Sequence, residues 1–188
     1  MAVRDMIILK AQELIYFKGY VATSISDIIT ASGVGKGQLY HYFSSKKELG
    51  VVATKLLLDQ WRIELFQGIF QSEKSSSDKL SAMLDWVYDF HLSQDGDIFY
   101  GCPVGNLIVE LSTQDEEFRL LLQGFMEEWQ SKLSDVLDDS HPNWSKKKCL
   151  QEAQQIIVTI QGAIVLLKVN QNLAVIETTM TALKEKYL

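Results

Sequence analysis

The side chains able to do chemistry fall in two places. The denser is GVGKGQLYHYFSSKKEL, Gly33 to Leu49, which gathers three glycines, Lys36, Gln38, the consecutive rings Tyr40, His41 and Tyr42, and the lysines Lys46 and Lys47. Lysine can donate to guanine O6 and N7, and glutamine can pair with adenine. Ring hydroxyls and ammonium groups suit phosphate oxygens. The second place is Cys102, just ahead of Pro103 in YGCPVG. A thiol at a helix N-terminus ionises more readily, and the thiolate is the nucleophile. Other chemistries lack their parts. His41, His91 and His141 are scattered, with no HExxH or CxxC pattern, so no metal site is expected. No nucleophile elbow is present, and GVGKG lacks the spacing and strand context of a phosphate loop. No cofactor and no enzyme activity are expected. A thiol-dependent enzyme, with His91 as base to Cys102, is the alternative.

The elements that must hold these groups read as helices throughout. Ile7, Ile8, Ala11, Leu14 and Ile15 recur at three- and four-residue spacing, one buried face of a first helix. Gly19 stops it. Ser24 caps a second helix, with Asp27 as capping-box partner. That helix ends at Ser32-Gly33, and a short third runs from about Gly35 to Tyr42. Helix, tight turn, short helix is a helix-turn-helix, whose second helix lies in the major groove. Gly35 and Gly37 cost helix stability, and close approach to another backbone is a candidate compensation. Leu39 and Phe43 form the inward pair, so at least two of the three rings point outward.

Ser45, with Glu48, caps a long fourth helix whose apolar stripe is Leu49, Val52, Ala53, Leu56, Leu57, Trp61 and Leu65. Lys46 and Lys47 stand at its positive end, where the helix dipole disfavours cations and a phosphate would favour them. A loop at Ser72–Asp78 precedes a fifth helix over 78–92. After a break at 93–105, further helices are expected at about 103–112, 115–138, 146–170 and 172–187. No strand pattern appears, so the fold class is all-α.

Bulk properties set the outer bounds. The chain has 188 residues, 47% hydrophobic, enough for a real core. No run of about 18 uncharged apolar residues is present, and no membrane span is expected. The first residues, MAVRDMIILKAQEL, mix charge into their apolar run, and no signal peptide is expected. Two cysteines, Cys102 and Cys149, make no disulfide framework and fit a reducing cytoplasm. Net charge is −6, yet residues 1–50 hold six Lys/Arg against four acids, leaving +2 there and −8 in the rest. A mildly basic head on an acidic body is compatible with nucleic-acid binding confined to the head.

TSISDIITASGVGKGQLYHYFSSKKEL, Thr23 to Leu49, resembles the DNA-binding signature of TetR-family transcriptional regulators, and the likeness extends back through AQELIYFKGY to about residue 7. The resemblance implies a DNA-binding domain over residues 1–48 and a larger helical ligand-binding and dimerisation domain over 49–188. It implies a homodimer on a palindromic double-stranded operator, released by a small-molecule inducer. Thr23, Ser24, Tyr40, His41 or Tyr42, and Lys46 would contact phosphates, while Lys36, Gly37 and Gln38 would face bases. Gly35 stands where the family often has a serine cap, and Ile29 replaces a common alanine. A helical scaffold with a vestigial head is a further alternative, though Tyr40 and Lys46 are both present.

The acidic body is rich in rings. Trp61, Trp86, Phe90, Phe125 and Trp129, with Cys102, either line an apolar ligand pocket or are simply core; the family resemblance argues for the pocket. YGCPVGNLIVELS, Tyr100 to Ser112, resembles the branch of the family that includes repressors answering to reactive electrophiles and small organic acids. Cys102 is then either a covalent or redox sensor or an inert buried thiol. Lys168, in an apolar run, either pairs with an anionic ligand or with Cys102, or reaches out to solvent. Ile156 to Val169 is apolar on nearly every side and needs partners on more than one face. With Ala174, Ile176, Met180 and Leu183 of the last helix it suits a four-helix dimer interface.

Overall fold

A computed structural model describes residues 2–94 and 98–188; of the break expected at 93–105, positions 95–97 lie outside it. Among the described residues there are nine α-helices and no strand. They are α1 Val3–Lys18, α2 Ile25–Ser32, α3 Lys36–Tyr42, α4 Lys46–Trp61, α5 Ser76–Leu92, α6 Pro103–Leu111, α7 Glu116–Ser140, α8 Lys146–Asn170 and α9 Ala174–Tyr187. Between α4 and α5 the chain winds as a π-helix, Arg62–Phe70, where the fourth helix was expected to run on unchanged. Apolar spacing alone does not distinguish the two windings. By compactness the chain divides into residues 1–60 with 103–123, and residues 61–102 with 124–188.

The first unit is organised around one core. Ile7, Ile8 and Ala11 of α1 meet Ile28 of α2, Val34, Leu39 of α3, Phe43, and Leu49 and Ala53 of α4. The capping box of α2 is complete: the Asp27 N–H donates to Ser24 Oγ at 3.0 Å, and the Ser24 N–H to Asp27 Oδ2 at 2.8 Å. Gly33 ends α2 at φ 67°, a left-handed conformation that costs glycine least and turns the chain into α3. At α4 the box is offset by one residue. Ser45 Oγ accepts the Glu48 N–H, but the Glu48 carboxylate accepts from the N–H and hydroxyl of Ser44. The expected α4 stripe also needs correction, because Leu56 is 44% exposed and Leu58 is fully buried in its place.

In the second unit, α5 begins at Ser76 rather than at about 78, and Ser75 caps it by accepting the Asp78 N–H. Leu80, Met83, Leu84 and Val87 of α5 are buried, as are Phe125, Trp129 and Leu133 of α7 and Ile156, Ile160 and Ile164 of α8. α9 spends its apolar side here: Ile176, Met180 and Leu183 are buried, while Ala174 is exposed. α8 is different, since Val158, Val165, Leu166 and Val169 remain 54–74% exposed. By length and mean hydropathy (1.3) α8 is long and apolar enough to cross a membrane, a test that a core helix also meets. Its other face is core, with Ile156, Ile160, Ile164 and Leu167 buried.

Candidate nucleic-acid interface

α3 is held from beneath and open above. Leu39 and Phe43 are 0% and 1% exposed and anchor it. Lys36, Gly37, Gln38, Tyr40 and His41 are all exposed. Tyr42 is half-buried, packs on the core cluster and meets His41 edge-on at 5.0 Å. Two rings therefore face out and one braces the helix. A Cβ built on Gly35 or Gly37 would meet nothing within 4 Å, so nothing inside the chain demands glycine there.

Three expected contact residues have other work. Thr23 is 0% exposed and its hydroxyl donates to the Gly19 carbonyl at 2.7 Å, closing the α1–α2 turn. Its side chain offers no surface to a phosphate. Ser24 is exposed, but its hydroxyl and N–H serve the capping box. Lys46 is half-buried, donates to the Val21 carbonyl at 3.1 Å and lies 4.6 Å over the Tyr20 ring. Desolvation pushes its pKa down, against the pull of Glu110 and Asp27. Lys47, expected to favour a phosphate, pairs instead with Asp115 at 2.7 Å and Glu117 at 3.4 Å. Those acids offset the helix dipole without an external anion.

A residue the sequence did not single out ties this unit together. Glu110 of α6 accepts the N–H of Tyr20 at 2.8 Å and of Val21 at 2.7 Å, so one carboxylate holds the α1–α2 turn. It is the one charge in PVGNLIVEL, and that isolation was the available signal. Gly50 of α4 is the second: a Cβ there would sit 2.4 Å from the Tyr20 ring and 3.2 Å from Phe118. Tyr20 is thus clasped between α4, α6 and the start of α7.

In the second unit, five of the six expected pocket residues (Trp61, Trp86, Phe90, Cys102, Trp129) share one cavity with Val87, His91, Ile160, Gln161 and Ile164. Phe125 does not line it; it is fully buried behind, stacked on Phe66 at 5.5 Å. The cavity is nearly filled by its own rings and has a volume of about 10 Å³. Cys102 is 3% exposed, with the Gln161 amide 3.8 Å from its sulfur. Lys168 is exposed to solvent. His91 Nδ1 lies 2.8 Å from the Val87 carbonyl and its Nε2 has no partner among the described residues, so no thiol–imidazole pair forms with Cys102. Among the described residues no three His, Cys, Asp or Glu side chains gather as a metal site.

These groups set the pH response. The backbone N–H and hydroxyl of Ser24 hold Asp27 below its ordinary value, the Ser44 hydroxyl and N–H do so for Glu48, and Lys47 for Asp115. Burial pushes His91 down as well. Each lowered carboxylate stabilises the fold above its unfolded pKa and loses that contribution as pH falls through its folded one. His91, neutral when folded, costs stability once the unfolded chain protonates below about pH 6.5. Tm measured against pH should begin to fall near that point and steepen through the carboxylate range. His91→Phe should remove the earlier decline alone.

Residues 7–50 match the family model described as bacterial regulatory proteins, tetR family. Residues 77–182 match the transcriptional regulator LmrA/YxaF-like C-terminal domain. The chain is 40% identical over 184 residues to the HTH-type transcriptional regulator of the lacX 3′ region of Lactococcus lactis subsp. lactis, covering 98% of this chain and 92% of that protein. It is 25% identical to the HTH-type transcriptional repressor DhaR of Mycobacterium sp. (strain GP1), covering 99% and 92%. The reduced form of Escherichia coli NemR superposes with a TM-score of 0.85 at 23% identity, covering 97% of this chain and 95% of that one, a likeness of fold. With a helix-turn-helix core whose second helix is open to solvent, and matches across both parts of the chain, this protein belongs to the TetR family of transcriptional regulators.

Proposed function

We propose that the chain is a cytoplasmic, homodimeric repressor that binds a palindromic DNA operator through α3 and is released by a small organic inducer. One observation carries this reading. Lys36, Gly37, Gln38, Tyr40 and His41 share the open side of a helix whose other side is locked into the core. Lys36, Gly37 and Gln38 would face base edges, with Tyr40 and His41 on the phosphates. Ser24 adds the exposed N-terminus of α2, and Lys46 acts by holding the turn beside it. The open space above Gly35 and Gly37 suits close approach by DNA. Gly37→Ala should then split two measurements. It should raise stability by up to about 1 kcal/mol through better helix propensity. It should weaken operator binding roughly tenfold, the worth of one base contact.

Two recognition helices must sit about 34–36 Å apart to reach successive major grooves. The exposed stripe Val158, Val165, Leu166 and Val169 on α8 supports pairing with a second copy. Val165→Asp with Leu166→Asp should raise the dimer dissociation constant by about 100-fold or more, because four apolar side chains, each worth about 1.5 kcal/mol, leave the interface. Sedimentation of the variant checks this. For release, Cys102 immediately precedes α6, and Glu110 of α6 grips the α1–α2 turn. A ligand that repositions α6 and prefers the altered head shifts the population away from the DNA-binding form. With Cys102 3% exposed, a non-covalent inducer is favoured over cysteine modification as trigger.

The experiment is a titration against DNA from upstream of its own gene at two salt concentrations. Tight binding that weakens steeply with salt supports the reading. Binding to no upstream fragment, in a folded dimer at moderate salt, contradicts it.

A further inference from the structure

The cations of the first fifty residues are not equally spent. Lys10 pairs with Glu13 at 2.7 Å and Lys18 with Asp27 at 3.6 Å. Lys46 donates to the Val21 carbonyl, and Lys47 pairs with Asp115 and Glu117. That leaves Lys36 and Arg4. Both are exposed, and neither makes a hydrogen bond or an ion pair among the described residues. Lys36 opens α3. Arg4, in the first turn of α1, stands at the other end, its guanidinium 5.5 Å over the ring of Phe43, the residue that closes α3. The two unspent cations therefore bracket α3, which at 1.5 Å per residue is about 10 Å long. No acid fixes Arg4 there. Ser44, and more weakly Arg4, hold the Glu48 carboxyl below its ordinary value, but the carboxylate is bonded to the N–H and hydroxyl of Ser44. The plane of the guanidinium is steadied by an aromatic face while its N–H donors stay unclaimed.

We infer that Arg4 grips a DNA phosphate at the far end of α3, beyond the base pairs that Lys36, Gly37 and Gln38 would face. A recognition helix reads bases with its N-terminal residues, and its far end meets the sugar–phosphate backbone. The guanidinium fork matches two phosphate oxygens with parallel N–H···O bonds, which a lysine ammonium cannot do. Stacking on Phe43 holds that fork before DNA arrives, so less side-chain freedom is lost on binding. Arg4 thus adds affinity and fixes the register of α3 in the groove, without reading sequence.

The inference rests on the repressor reading in taking α3 as the recognition helix. The test uses the full-length protein and a duplex that it selects from random sequence, titrated by fluorescence anisotropy between about 50 and 200 mM salt. Arg4→Ala should weaken binding about tenfold or more, the worth of a hydrogen bond between charged groups. Its plot of log affinity against log salt should become shallower by about 0.9 per lost contact, or about 1.8 for the two heads of a dimer. The loss should be the same on single-base variants of the duplex. Tm should stay within about 4 °C of the parent, since an exposed cation–π contact is all that the fold loses. Arg4→Lys should keep the parent's slope and lose only part of the affinity. Lys10→Ala removes a cation of α1 already paired with Glu13, and it should leave the slope nearly unchanged. An unchanged slope in Arg4→Ala, an equal change of slope in Lys10→Ala, or a loss confined to one base position would each overturn the inference while the repressor reading stands. A parent protein that selects and binds no duplex overturns the repressor reading, and this inference with it.

Discussion

Lys36→Ala combined with Tyr40→Ala should reduce operator affinity by at least about 100-fold while changing stability by no more than about 0.5 kcal/mol, as surface substitutions do. The two residues are four apart and share one face of α3. Lys36 is exposed and Tyr40 is 44% exposed, so neither supports the core. A lysine–guanine contact is worth about 1–3 kcal/mol, and a tyrosine–phosphate hydrogen bond about 1.5–3. Both are lost in each head of a dimer, which places the total well beyond two decades. Lys46 is a poorer choice for this experiment. Its ammonium bonds the Val21 carbonyl and caps the Tyr20 ring, so its removal disturbs the turn as well as any phosphate contact. Gel-shift titration with a parallel thermal melt reads both quantities. A variant that binds DNA like the parent would mean that α3 is not the recognition element.

Glu110→Ala should weaken DNA binding without touching any DNA-facing residue. It removes the acceptor for two backbone N–H groups, at 2.8 and 2.7 Å, and leaves the α1–α2 turn unanchored. Hydrogen bonds to a charged group contribute about 1.5–3 kcal/mol each, discounted here because the carboxylate is only half-buried. A destabilisation of roughly 2–4 kcal/mol follows. Glu110→Gln keeps an acceptor oxygen and should recover part of the loss. The same variants test the transmission step. If α6 reports ligand binding through Glu110, DNA affinity in Glu110→Gln should respond less to an inducer that still binds. Full release by inducer in that variant would remove Glu110 from the pathway.

The head was legible because its determinants are local. Caps at Ser24 and Ser45, the stop at Gly19, the turn at Gly33 and the Leu39/Phe43 pair are all read within a few residues of where they act. What escaped depended on partners distant in sequence. Glu110 meets Tyr20 and Val21, and Lys47 meets Asp115, across the first unit. That distance is why Lys47 looked available for phosphate and is not, whereas Thr23 is withdrawn by a local bond to the Gly19 carbonyl and by burial. Leu56 and Leu58 exchanged roles because α4 is apolar on adjoining faces, and the switch to a π-helix at Arg62 has no apolar signature of its own. Five of the six proposed pocket residues do share a cavity, while Phe125 is buried apart from it, stacked on Phe66.

The central claim is that two copies present α3 to DNA with a fixed spacing. Selection from random duplexes by the purified protein measures it directly, with the Lys36→Ala/Tyr40→Ala protein run in parallel. The account predicts enrichment of an inverted repeat whose half-site centres lie about one helical turn, or a multiple of it, apart, absent with the double variant. Enrichment of an unrepeated sequence, of nothing, or of the same repeat with both proteins would contradict it.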